Sequence, residues 1–300
     1  MAAALSDEQL ERYLAHVGYP RARHAADELT LVTELMARQI SRVPFESFKL
    51  HYSQERVVSL DLEALFDKIV VRAKGGYCME LNGFFAAVLR ALGFTVLNVA
   101  ARVHVGGGKF SGWTHMINIV TIKTGDKFAV DVGFGRDEAL VPIPLVSGVE
   151  FTQVHPQRGR LEHRALAQHT DPTQRMWVYS SQAHPGAEWV ERNCFNEVEW
   201  FAEDYRVSNY HTMYNPTSFF VQNVLAFRGS LNEATGRIDG LVTLFRDTVK
   251  RQMEGQEAAE VVETLKTEAE RVAALEKYFG VVLTPVEQRG IQGLPSELHG

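Results

Sequence analysis

The stretch Lys74-Gly75-Gly76-Tyr77-Cys78-Met79-Glu80-Leu81-Asn82 decides most of what the chain says about its fold and chemistry. Its two glycines permit a tight backbone approach. Residues 78–92 that follow are apolar on most sides and stop at Gly93, the composition of a helix buried in the interior. Cys78 then falls in the first turn of that helix. Unpaired amides and the positive end of the helix dipole there favour a thiolate, the form that attacks carbonyls. A buried inert thiol is the competing reading, since free cysteine is among the most buried residue types.

Toward the N-terminus the chain reads as helical. Ser6 and Gln9 form a capping box for a helix striped by Leu10, Tyr13, Leu14 and Val17 and stopped by Gly18 and Pro20. A second stripe, Val32, Leu35, Met36 and Ile40, ends before Pro44; a third follows Asp61 through Leu62, Leu65, Phe66 and Ile69. Beyond Gly93 the period becomes that of strands. Residues 94–105 are rich in β-branched side chains, Gly106-Gly107-Gly108 makes a flexible connection, 115–122 reads as a strand and 127–132 as its hairpin partner. Residues 150–174 are polar and aperiodic and read as a long loop, with strand-like stretches at 176–180, 217–227 and 241–249. Thr267 and Glu270 cap a last helix carrying Val272, Leu275 and Phe279. Helices, then strands, then a mixed end imply an α+β fold rather than alternating βαβ units.

Composition narrows the function. The 300 residues are 45% hydrophobic, 23% charged and 10% aromatic, which excludes disorder, collagen and a disulfide scaffold. Thirty-one basic against 37 acidic residues leave a net charge of −6, so nucleic acid is not an expected partner. Cys78 and Cys194 form no Cys-x-x-Cys pair, so no metal is expected, and two free thiols suit a reducing, cytoplasmic setting. No apolar run approaches the ~20 residues of a membrane span, and the N-terminus turns acidic before a signal-peptide core could form.

A nucleophilic cysteine needs a base, and the base an orienting group. His24, His51, His155, His163, His169, His184 and His299 lie in polar, loop-like surroundings where a solvated ring is ordinary. His115 instead opens a strand whose hairpin partner carries a lone carboxylate in Phe128-Ala129-Val130-Asp131-Val132. If Lys123-Thr124-Gly125 is a three-residue turn with Gly125 left-handed, Ile117 lies opposite Asp131 and His115 sits diagonally from it on the same face. Diagonal neighbours have Cα atoms ~7–8 Å apart, within reach of an imidazole and a carboxylate. A two-residue turn would place the pair on opposite faces.

These residues resemble the arylamine N-acetyltransferases. Gly75-Gly76-Tyr77-Cys78 is similar to that family's Arg-Gly-Gly-(Tyr/Trp)-Cys signature, Val43-Pro44-Phe45-Glu46 to its Pro-Phe-Glu-Asn motif, and Asp131-Val132-Gly133-Phe134-Gly135 to its Asp-(Val/Ala)-Gly-Phe-Gly segment. His115 lies between the cysteine and aspartate motifs, and the similarity spans nearly the whole chain. The resemblance implies an N-terminal helical bundle (1–92) carrying the nucleophile. It further implies a β-barrel-like middle domain (93–200) carrying His115 and Asp131, and a C-terminal α/β lid (201–300). It implies a Cys78-His115-Asp131 triad that takes an acyl group from acyl-CoA and passes it to a small aromatic amine or hydrazine. The acyl group is acetyl, propionyl or malonyl, from acetyl-CoA, propionyl-CoA or malonyl-CoA, and for malonyl Arg102 or Arg136 would offer a cation. Lys109, Ser111 and Gly112 resemble the segment that meets the CoA phosphates, while Tyr210, Thr217 and Ser218 match cofactor-contacting positions. A mobile hairpin end and a helix end feeding a strand are the plain alternatives for these two groups. Phe134 would line the amine pocket. Lys74 stands where the family has arginine and Ser47 where it has asparagine, and Lys74 is expected to pair with Glu46. A Cys-His-Asp hydrolase or transglutaminase-like enzyme, and a non-catalytic binding protein of the same fold, are the other readings.

Overall fold

The computed structural model describes residues 4–300. The first three residues of the N-terminal stretch weighed above as a signal peptide lie outside the described residues. The first part is helical: α1 (Asp7–His16), α2 (Glu28–Arg42), the short strand β1 (Phe45–Glu46), α3 (Phe48–His51), α4 (Leu62–Phe66) and α5 (Cys78–Ala91). The Ser6–Gln9 capping box forms in both directions, at 3.0 and 3.2 Å. The third predicted helix is shorter than its stripe, because α4 passes into a π turn over Asp67–Val71. α5 is the buried centre. Leu81, Phe84, Phe85, Val88 and Leu89 are fully enclosed, and Tyr13 of α1 meets Phe84 edge-on at 5.6 Å. Each such side chain contributes roughly 1.5–3 kcal/mol when buried, so the first turn of α5 is anchored by its own helix.

The middle of the chain is a barrel-like sheet of β2 (Thr95–Gly106), β3 (Lys109–Thr121), β4 (Lys127–Val130), β5 (Ile143–Pro144), β6 (Val149–Thr152), β7 (Arg158–Arg164), β8 (Met176–Gln182) and β9 (Val190–Glu199). Its order is β5-β4-β3-β2-β9-β8-β7-β6, every neighbour antiparallel, with Val99, Ile117, Leu161, Tyr179 and Phe195 filling the interior. The three-residue turn at Lys123-Thr124-Gly125 is as predicted. Ile122 N donates to Asp126 O at 3.1 Å, Gly125 has φ +91°, and Thr121 pairs with Lys127 and Asn118 with Val130. That register, continued one pair, sets Ile117 opposite Asp131.

Residues 150–174 are not one long loop. They contain most of β6 and all of β7, whose outward positions are polar because both strands wrap the rim of the sheet. The last part comprises α6 (Ala202–Tyr214), α7 (Phe219–Gln222), β10 (Leu225–Asn232), β11 (Arg237–Phe245), β12 (Thr248–Met253), β13 (Glu260–Thr264), α8 (Glu268–Phe279) and α9 (Pro285–Gln288). The expected strand over 217–227 is instead a helical turn feeding β10. The one over 241–249 is a hairpin of β11 and β12 turning at Arg246 and Asp247. These strands form a second sheet, β1-β10-β11-β12-β13, in which Phe45 of the helical part pairs with Phe227. One face packs on α2 and the other on α8, so the first and last parts share a core.

Candidate active site

The loop before α5 is stitched to the segment that precedes α3. Gly76 N donates to Pro44 O at 3.3 Å and Glu46 N to Gly76 O at 2.8 Å. A Cβ on Gly75 would stand 1.7 Å from Pro44 O, so no other residue fits this crossing. The Asp131 loop presses on the same turn from the far side, where a Cβ on Gly133 would meet Cys78 Cα at 2.9 Å. Tyr77 hydroxyl bonds the Asn209 side chain of α6, and Glu80 Oε2 accepts Tyr77 N at 3.0 Å, capping α5. Three separate parts of the chain thus hold one residue, Cys78.

His115 and Asp131 meet as the hairpin register requires, Nε2 to Oδ2 at 2.6 Å, both buried. Cys78 Sγ lies 3.8 Å from the carbonyl of Thr114, the residue before His115. Burial alone would lower the His115 pKa. The Asp131 carboxylate, with a smaller contribution from Cys78, outweighs it and holds the pKa up at about 10. The ring is therefore an imidazolium near neutrality. Asn82, one helical turn after Cys78, completes the cluster: its Nδ2 donates to Asp131 Oδ1 and to Met116 O, each at 2.8 Å, and its Oδ1 accepts Val132 N. The i, i+4 spacing from Cys78 places both on one face of α5, a signal that the sequence reading did not use. Phe134 stands edge-on to His115 with centroids 4.9 Å apart.

The expected Lys74–Glu46 pair does not form. Lys74 Nζ pairs with Glu287 of α9, and Lys68, from the π turn, takes the inner position, 2.7 Å from Glu80 Oε1 and 3.6 Å from Glu46 Oε1. The backbone approach of Gly75 to Pro44 sends the neighbouring Lys74 side chain outward, while the widened π turn delivers Lys68 to both carboxylates. Burial opposes the Lys68 charge, but Glu80 and Glu46 outweigh it and raise its pKa; burial and Glu46 in turn push Glu80 up against the pull of Lys68. Ser47 uses its hydroxyl to bridge β10, donating to Asn223 O at 2.9 Å and accepting Leu225 N at 3.1 Å. A cavity of about 210 Å³ lies on the outer side of this ion cluster, bordered by Glu46, Lys68, Lys74 and Glu287 and not by Cys78.

Lys109 and Gly112 are exposed near the tip of the β2–β3 hairpin, and Ser111 bonds Val103 N through its hydroxyl at 2.9 Å. Tyr210 is exposed on α6, stacked on Tyr214 at 5.6 Å; Thr217 closes a turn on Asn215, and Ser218 begins α7. No hydrogen bond joins the two groups among the described residues. The Arg102 guanidinium sits over the Trp113 ring, 3.9 Å from its centroid, and donates to Ser111 O, whereas Arg136 is exposed two residues beyond Phe134. His51 is not solvated. It is fully buried between Ser296 Oγ and the carbonyls of Phe220 and Asn223, and burial lowers its pKa to about 4. Cys194 is fully buried, and burial pushes its thiol up to about 12. No helix among the described residues is long and apolar enough to cross a membrane.

An N-acetyltransferase family model matches residues 27–288. The N-malonyltransferase FDB2 of Fusarium pseudograminearum is 34% identical over 282 residues, covering 88% of this chain and 81% of that protein. Arylamine N-acetyltransferase 1 of Oryctolagus cuniculus is 31% identical over 279 residues, covering 86% of this chain and 92% of that protein. The solved arylamine N-acetyltransferase of Nocardia farcinica superposes with a TM-score of 0.80 at 28% identity, covering 96% of this chain and 95% of its own. A family match across most of the length, carried by the same architecture, places this chain in the arylamine N-acetyltransferase family of acyl-transferring enzymes.

Proposed function

We propose that the chain transfers an acyl group from an acyl-CoA thioester to an arylamine or arylhydrazine by a ping-pong route through Cys78. Family membership selects acyl transfer over hydrolysis and over non-catalytic binding. The observation that carries the route is the buried His115–Asp131 contact at 2.6 Å, on the strand whose Thr114 carbonyl lies 3.8 Å from Cys78 Sγ. Cys78 attacks the thioester carbonyl as a thiolate, forming a carbon–sulfur bond, and the tetrahedral oxyanion sits by the unpaired first-turn amides of α5. Collapse breaks the bond to CoA, whose sulfur takes the proton from the His115 imidazolium. The amine then attacks the acyl-cysteine, gives a proton back to His115 and leaves as the amide, restoring the thiolate–imidazolium pair. Asp131 fixes the ring tautomer and Asn82 fixes Asp131.

The three parts 1–92, 93–200 and 201–300 supply, in this reading, the nucleophile, the base with its acid, and the lid. Lys109, Ser111 and Gly112 from the hairpin, Tyr210 from α6, and Thr217 and Ser218 from the turn into α7 contact CoA. Phe134 meets the ring of the amine. The proteins named as N-malonyltransferases support malonyl beside acetyl as the acyl group, and Arg136, exposed two residues beyond Phe134, is the cation for its free carboxylate. Two unpaired cysteines fit a cytoplasmic enzyme that handles foreign amines. The test is CoA release from acetyl-, propionyl- and malonyl-CoA, with and without an aniline panel. Acyl-cysteine at residue 78 and amine-dependent turnover are expected; CoA release that ignores amine and leaves Cys78 unmodified would refute the route.

A further inference from the structure

Glu138 follows the Asp131 loop and is buried, with 2% of its surface exposed. Its Oε2 accepts two successive amides, Phe134 N at 3.0 Å and Gly135 N at 3.2 Å. Asp131 Oδ1 accepts the amide before them, Gly133 N, at 3.0 Å. Two carboxyls therefore divide three consecutive loop amides between them. Oε1 of Glu138 is enclosed with no partner. Burying a carboxyl with one oxygen unsatisfied is costly, so the residue is kept for what its other oxygen holds. What it holds is the backbone of Phe134, whose ring stands against His115. The loop has little freedom elsewhere: a Cβ on Gly133 would strike Cys78, and one on Gly135 would lie 3.2 Å from the Phe45 ring.

We infer that Glu138 is a positioning residue for the amine half of the reaction, fixing the Phe134 ring beside His115 so that it presents one face to the incoming aryl group. This rests on the reading of Phe134 as an amine-pocket residue. Burial and the nearby Asp131 charge push the Glu138 carboxyl well above the usual carboxylate range, which fits a neutral acid whose Oε2 accepts both amides while its proton sits on the enclosed Oε1. Asp131 keeps its own three partners without Glu138, so acylation of Cys78 does not depend on it.

The experiment separates the two half-reactions in wild type, Glu138→Gln and Glu138→Ala. Single-turnover CoA release without amine reads acylation; steady-state KM and kcat over anilines and over an alkyl hydrazine read transfer. Glu138→Ala is expected to acylate within about twofold of wild type while KM for anilines rises about tenfold and KM for the alkyl hydrazine stays within about twofold. Glu138→Gln keeps an acceptor oxygen for both amides and is expected within about threefold of wild type throughout. Equal loss of acylation and transfer in Glu138→Gln, with near-ultraviolet circular dichroism unchanged, would overturn the inference. So would an unchanged aniline KM in Glu138→Ala. Failure of the wild-type enzyme to acylate from any acyl-CoA would instead strike the proposed function itself.

Discussion

Lys68 is the most exposed to test of the contacts behind the nucleophile loop. Its ammonium sits between two buried carboxylates, with side-chain exposures of 9% for Lys68, 1% for Glu46 and 3% for Glu80. Lys68→Met preserves the aliphatic volume and removes the charge. Breaking a buried pair by deleting one partner costs about 3–5 kcal/mol, because the other is left uncompensated in low dielectric. Here two carboxylates are left, so the upper half of that range is expected. The loss should depend on pH with a definite sign. Glu80 already lies above its ordinary range through burial, and without the ammonium it rises further. A carboxyl whose folded-state pKa is raised destabilises the fold increasingly as pH climbs past its unfolded value, so the deficit should be larger at pH 8 than at pH 5. The assay is urea unfolding, followed by tryptophan fluorescence, of wild type, Lys68→Met, Glu80→Gln and the double variant at both values. The double variant should recover part of the loss, since it no longer buries a bare Glu80. A deficit under about 1 kcal/mol, or a double variant no more stable than Lys68→Met, would refute the reasoning.

Other outcomes follow from the same geometry. Iodoacetamide at neutral pH should alkylate Cys78 before Cys194, whose thiol burial holds up at about 12; equal labelling by peptide mass mapping would contradict the nucleophile assignment. Asp131→Asn should lower kcat by about 10²–10⁴ while the chain still folds, and near-wild-type turnover would remove Asp131 from the mechanism. His51 is held neutral at about 4, below its unfolded value near 6.5. Its contribution is present above pH 6.5 and lost as pH falls toward 4, a span worth about 3 kcal/mol. His51→Gln should flatten the acid limb of the stability curve measured by urea unfolding, and parallel limbs for variant and wild type would exclude this source.

Residues a few places apart in the chain made much of the fold legible. The Ser6–Gln9 and Thr267–Glu270 caps, the apolar run of α5 and the left-handed Gly125 all act within one turn of backbone. The hairpin at Gly125 then sets the register that brings His115 to Asp131, so even this contact between two strands was readable. α6 showed only as a helix end near Tyr210 and its extent was not readable, because the face it buries carries Tyr205, Ser208, Asn209 and Thr212 rather than an aliphatic stripe. β6 and β7 were missed because rim strands are polar on their outer side and gain their pairing only from β8. Glu138 carries no pattern at all; its role appears once the loop folds back on it.

Charge pairing marks the boundary most sharply. Motif and turn geometry marked the candidate side chains for the chemistry and the register that brings His115 to Asp131, since those rules depend on neighbours along the chain. Tertiary structure alone decided that Lys74 reaches Glu287, 213 residues away, and that Lys68 holds Glu46 and Glu80. An ion pair has no preferred sequence separation. It forms wherever the packed backbones bring opposite charges together out of water, and that distance exists only after the helices and both sheets have closed around α5.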